Sequence, residues 1–192
     1  MITDLITIGG SAGSLQVVLE ILPHLNADLQ TAIVIIFHRK TTPNPEMLIE
    51  LLNAKSTLKV KEAEDKEKIK PGFIYIAPAD YHLFLEKDHS FSLDSSEKIN
   101  FSRPSIDLTF FTAADVYKDK LIGILLSGAN SDGVHGLETI QKQGGYCIAQ
   151  DPQTSQVSYM PAQAITKKVV DLIANPSEIA SLINNCRPSP SF

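Results

Sequence analysis

Apolar residues in this chain gather in short, nearly continuous runs separated by amphipathic stretches. The runs at Leu5–Ile8, Ala32–Phe37, Phe73–Ile76, Leu121–Leu126 and Tyr146–Ala149 are rich in Ile, Leu and Val and short for helices, so they are predicted as strands. Apolar positions spaced three and four apart predict helices over Leu15–Leu22, Pro45–Leu52, Ser105–Val116, Gly133–Gln143, Pro161–Ile165 and Pro176–Asn185. Strands without a polar face, as in Ala32–Phe37 and Leu121–Leu126, are those of a parallel sheet covered on both sides. Their alternation with helices predicts an α/β fold: a three-layer, doubly wound, mostly parallel sheet. Between Leu58 and Leu93 the pattern breaks into short β-like pieces with charged interruptions. There Leu83-Phe84-Leu85 and Phe91-Ser92-Leu93, flanking a turn at Asp88-His89, are expected to form an antiparallel hairpin added to the main sheet.

A parallel sheet binds its ligands outside the carboxyl ends of its strands, and that rule selects residues. The first strand ends in Gly9-Gly10-Ser11-Ala12-Gly13, a strand–turn–helix that lifts Ser11 above the sheet edge in the Gly-x-Ser-x-Gly pattern of a nucleophile elbow. The second strand runs into His38. The run Leu121–Leu126 ends in Ser127-Gly128-Ala129-Asn130-Ser131-Asp132-Gly133, which carries one carboxylate. A serine hydroxyl needs a base, and the imidazolium so formed needs a carboxylate; Ser11, His38 and Asp132 are the parts of a hydrolytic triad. The backbone N–H groups of Ala12 and Ala129 are candidate donors to an oxyanion. Each residue also has a plain structural use. Small residues after a strand serve close packing or phosphate binding, a histidine can cap a strand, and Asp132 can begin a helix. Asp80 with His82, and His135 near Asp132, are the alternative bases.

At 192 residues the chain suits one domain, with 43% apolar and 20% charged residues. Its net charge of −5 argues against a general nucleic-acid binder. No run has the length of a membrane span, so direct membrane insertion is not expected, and the start of the chain lacks the charge pattern of a signal peptide; a cytoplasmic protein is expected. Two cysteines, Cys147 and Cys186, form neither a disulfide framework nor a metal-ligand spacing.

Several spaced segments, taken together, resemble the CheB methylesterase family. They are Ile8-Gly9-Gly10-Ser11-Ala12-Gly13, Val34–His38, Val60–Asp65, Pro71–Pro78, Arg103-Pro104-Ser105-Ile106-Asp107, Ser127–Gly133, Ile148–Asp151 and Met160-Pro161. The resemblance implies hydrolysis of glutamyl methyl esters on the cytoplasmic helices of methyl-accepting chemoreceptors, with glutamine deamidation in some members. It implies no cofactor and no metal. It assigns Ser11 as nucleophile, His38 as base and Asp132 as orienting acid, and it suggests Arg39, Arg103, Tyr159 and Met160 as cleft residues. Departures are Ala12 for the family's threonine, Ser14 for a glycine, Arg39 after the histidine and Ala129 for a methionine, all of which bear on pocket shape. The expected organisation is a catalytic domain over 1–186 and a flexible tail over 187–192, with no receiver domain. A catalytically weak or inactive binding module on the same fold is the alternative, and a phosphate-binding enzyme using the glycine-rich turn is a more distant one.

Overall fold

The computed structural model describes residues 1–41, 43–44 and 46–190. In chain order its regular elements are β1 (Leu5–Gly10), α1 (Ser14–Ile21), β2 (Ala32–Phe37), α2 (Glu46–Lys55), β3 (Lys59–Glu62), β4 (Phe73–Ile76), β5 (His82–Leu85), β6 (Phe91–Asp94), α3 (Ile106–Tyr117), β7 (Leu121–Leu125), α4 (Val134–Lys142), β8 (Tyr146–Gln150), α5 (Tyr159–Thr166), β9 (Leu172–Ala174) and α6 (Pro176–Asn184). Seven strands form one parallel sheet in the order β3-β4-β2-β1-β7-β8-β9. The chain winds outward from β1 through β2 in one direction and from β7 in the other. The order therefore reverses between β1 and β7, and a crevice opens at their carboxyl ends.

Side-chain alternation along the central strands builds two cores. In β2, Ala32, Val34 and Ile36 face one side with α3, α4, α5 and the β5–β6 hairpin, while Ile33, Ile35 and Phe37 face the other with α1, α2 and α6. All six residues of β1 and of β2 are buried, which is why neither strand shows a polar face in the sequence.

The structure differs from the expected elements at the hairpin, at the two sheet edges and at the start of α5. The β5–β6 hairpin is a separate two-stranded sheet packed on α3, not an extension of the main sheet. Two edge strands, β3 and β9, did not stand out in the pattern. β3 reads Lys-Val-Lys-Glu and β9 has only three residues, which is how natural sheets blunt their edges. Helix α5 begins at Tyr159, ahead of Pro161, which occupies its first turn. The expected helix start at Pro45 lies outside the described residues, and α2 runs from Glu46. In the terminal stretch expected to fray, Arg187 exchanges backbone hydrogen bonds with Met1 and Thr3, and Ser189 bonds Asp4.

Phe110 of α3 is fully buried, and a Cβ placed on Gly9 or on Gly136 would stand 3.2 Å and 2.5 Å from it. It is thus the wedge between β1, α3 and α4. Phe110→Ala is expected to cost about 3–5 kcal/mol in urea unfolding, because the tightly apposed backbone cannot collapse into the cavity. A loss below about 1 kcal/mol would contradict this packing.

Candidate active site

β1 delivers Ser11 at the crevice, on a turn that only small residues fit. Gly13 sits at φ +83°, and a Cβ there would also meet Gln156 at 2.7 Å and Ser127 at 2.8 Å. Ser14 closes the turn by donating its N–H and its hydroxyl to the Ser11 carbonyl, at 3.0 and 2.6 Å. Helix α1 then leaves with its first amides near Ser11. The Ser11 N–H donates to Ser127 O and the Gly128 N–H to Val157 O, so both are committed to holding loops together. The N–H groups of Ala12 and Ala129 have no protein partner among the described residues.

His38 follows β2 directly, and its N–H donates to Gly10 O on the neighbouring strand. Its ring lies between two groups of partners. Nε2 is 2.7 Å from Asp132 Oδ2, while Nδ1 faces Ser102 Oγ at 3.3 Å and Asn130 Nδ2 at 3.5 Å. Nε2 therefore carries the proton toward the carboxylate, and Nδ1 is the nitrogen that can accept one. No hydrogen bond joins Ser11 Oγ to His38 among the described residues. The two residues end adjacent paired strands, and such contacts often tighten only when substrate binds.

Asp132 is buried and fully engaged. Its Oδ1 accepts from the Ser105 hydroxyl and the Asp107 N–H, and its Oδ2 from the Ile106 N–H and His38. The carboxylate thus sits on the N-terminus of α3, where unpaired amides and the helix dipole favour negative charge. Burial works to raise its pKa. The bonds from His38 and from the Asp107 and Ile106 amides outweigh burial and hold it below the ordinary carboxylate range.

Asp107, Ser102 and Asn130 escaped the residue-by-residue reading. Asp107 is buried in the first turn of α3, and its Oδ1 accepts the N–H groups of Gly133 and Gly136 at 2.8 and 2.7 Å, on the N-terminus of α4. Burial, and then the charge of Asp132, push its pKa up to about 6. An aspartate in the first turn of a predicted helix was the available signal, though nothing local tells which amides it reaches.

The suggested cleft residues divide. Arg39 and Arg103 line a cavity of about 140 Å³ beside His38, with Lys40 and Lys98. Arg39 pairs with Glu62 and donates to Ala77 O, and Arg103 donates to Ser95 O and Ser96 O. Tyr159 is half exposed at the start of α5. Met160 is the exception: it is fully buried, its N–H donating to Gly128 O, so it supports the loop from below and does not line an open cleft. The alternative bases are not assembled. His82 is buried between Glu97 O and the Ser105 N–H, Asp80 bonds Thr41, and His135 is exposed beside Glu138 and Lys167. Among the described residues no group of three or more His, Cys, Asp or Glu side chains could hold a metal ion, and no helix is long and apolar enough to cross a membrane.

Residues 6–183 match the family model for CheB methylesterase. A protein of Leptospira interrogans is 45% identical over 179 residues, covering 93% of this chain and 92% of its own. The protein-glutamate methylesterase/protein-glutamine glutaminase of Thermotoga maritima is 38% identical over 172 residues, covering 88% of this chain but 50% of that protein. The crystal structure of the Thermotoga maritima CheB methylesterase catalytic domain superposes with a TM-score of 0.90 at 36% identity, covering 96% of this chain and 98% of that one.

The two buried carboxylates give opposite pH signatures. Asp107 binds its proton more tightly when folded, at about 6 against about 3.9 unfolded. Its contribution to stability is complete below pH 4 and is lost as pH rises through 6. Asp132, depressed when folded, contributes above pH 4 and loses that contribution as pH falls through its folded value. The stability of Asp107→Asn minus that of wild type should therefore rise by about 2 kcal/mol between pH 4 and pH 7 in urea unfolding. A pH-independent difference would contradict the shifted Asp107.

Proposed function

Because the chain belongs to the CheB methylesterase family, we propose that it hydrolyses γ-glutamyl methyl esters on chemoreceptor helices by a Ser11–His38–Asp132 mechanism. The observation that carries this reading is the 2.7 Å contact from His38 Nε2 to a buried carboxylate, which leaves Nδ1 free as base at the mouth of the crevice.

In this reading Ser11 Oγ attacks the ester carbonyl while His38 Nδ1 takes the hydroxyl proton. The imidazolium is stabilised by Asp132. Negative charge developing on the carbonyl oxygen is met by the N–H groups of Ala12 and Ala129. Collapse of the tetrahedral intermediate expels methanol, protonated by His38, and leaves a glutamyl–Ser11 ester. Water, deprotonated by the same nitrogen, then releases the free carboxylate and restores the serine. A glutamine amide follows the same path with ammonia as leaving group, the chemistry that the Thermotoga maritima relative's name describes. Asp132 keeps the ring from turning, so a single nitrogen serves both proton transfers.

Ser102 and Asn130 stand at Nδ1, and in this reading they give way as Ser11 engages the ring. Four cations, Arg39, Lys40, Lys98 and Arg103, line the cavity against one carboxylate, Asp80. Even with Arg39 paired to Glu62, this balance favours a substrate segment carrying further carboxylates. The substrate helices lie in the cytoplasm, and the enzyme works there.

Methanol release from methylated receptor membranes tests the assignment. Ser11→Ala and His38→Gln should each reduce release by about 1,000-fold or more, with unfolding free energies within about 2 kcal/mol of wild type. Ser102→Ala should retain release within about tenfold. Full release by Ser11→Ala, or its loss in Ser102→Ala alone, would move the nucleophile to another residue. A folded wild type that releases nothing would favour a binding module.

A further inference from the structure

Helices α3 and α4 exchange carboxylates at their N-termini. Asp132, just before α4, accepts the Ile106 and Asp107 amides that begin α3. Asp107, in the first turn of α3, accepts the Gly133 and Gly136 amides that begin α4. Asp107 thus touches the Asp132 segment twice: its backbone N–H binds the Asp132 carboxylate, and its own carboxylate fixes the residue after Asp132. Gly133 is locked in this place. It sits at φ +96°, and a Cβ there would stand 2.7 Å from Ile106 and 2.6 Å from Leu125.

One carboxylate would suffice to orient a histidine. A second, buried one beside it has a cost in desolvation and repulsion that an Asn cap would not incur. We propose that Asp107 is a positioning residue of the esterase, holding Asp132 against His38 and, through its negative charge, keeping His38 basic. The inference rests on the reading of His38 as the base. Its physical content is electrostatic: two neighbouring carboxylates repel, and an imidazolium on Asp132 relieves that repulsion. An ionised Asp107 therefore raises the proton affinity of His38.

The other titratable groups near Asp107 are few. Asp132 opposes its ionisation, and His135 on the first turn of α4 favours it. His82 is held behind it, accepting from the Ser105 N–H on the α3 side.

The test separates charge from capping. Asp107→Asn keeps an oxygen able to accept the Gly133 and Gly136 amides, so a residue needed only as a cap is replaced without kinetic effect. The inference expects more. The His38 imidazole titration, followed by NMR, should move to lower pH by about half a unit or more. The acid limb of kcat/KM should move with it, and kcat at pH 7.5 should fall about threefold with KM unchanged. Linkage supplies a second measurement on another variant. His38→Gln should raise the pH at which the Asp107 carboxyl titrates, followed by carbon NMR, by up to the same amount, the full shift appearing where the wild-type imidazole is charged. An unmoved His38 titration in folded Asp107→Asn, an unmoved Asp107 titration in His38→Gln, or titrations that move while kcat and the acid limb do not, would each overturn it. Full activity in Ser11→Ala would instead sink the triad reading and leave both titrations as expected.

Discussion

The arrangement at the carboxyl edge of the sheet depends on one buried anion. The Asp132 carboxylate is held by three donors from the start of α3, the Ser105 hydroxyl and the Ile106 and Asp107 amides, and by a fourth from His38. An unpaired carboxylate in such a place would take up a proton. Here the amide donors and the helix dipole keep it charged, and that charge orients the imidazole. The histidine ring is thus oriented by a carboxylate that the start of α3 holds in place.

This explains several demands on the surrounding packing. For α3 to point its N-terminus at Asp132 it must lie close against β1 and α4, which requires glycine at positions 9 and 136, where a Cβ would stand 2.4 Å from Ile106 and 2.5 Å from Phe110. The reversal of strand order between β1 and β7 puts Ser11 and the Ser127–Asp132 loop on either side of one crevice, and β2 supplies His38 from the next position. The sheet sets where the three residues emerge, and the N-terminus of α3 holds Asp132 as an anion.

The central architecture was legible because burial on both faces leaves an unmistakable mark on β1, β2 and β7, and because ligand chemistry collects at strand ends. Ser11, His38 and Asp132 stand just past strand ends or in the loop that follows one, where that rule points. What the sequence concealed has physical causes. β3 lies at one sheet edge, where charged residues interrupt the apolar pattern, and β9, at the other, is apolar but only three residues long. The hairpin's attachment depends on contacts with α3, which local alternation does not encode. Met160, which the resemblance suggests as a cleft residue beside Tyr159, lies one step along α5 and turns beneath Gly128. Asp107 meets its partners at Gly133 and Gly136, far along the chain, through a pairing of helix ends that no periodicity reports.

The account turns on which nitrogen of His38 is free. Nitrogen NMR of the His38 imidazole above its titration range tests this directly. The expected result is a proton on Nε2, shifted downfield by Asp132 and returned to an ordinary position in Asp132→Asn, with Nδ1 unprotonated. A proton resident on Nδ1 in the wild type would contradict it, because the ring would then have no acceptor to offer Ser11.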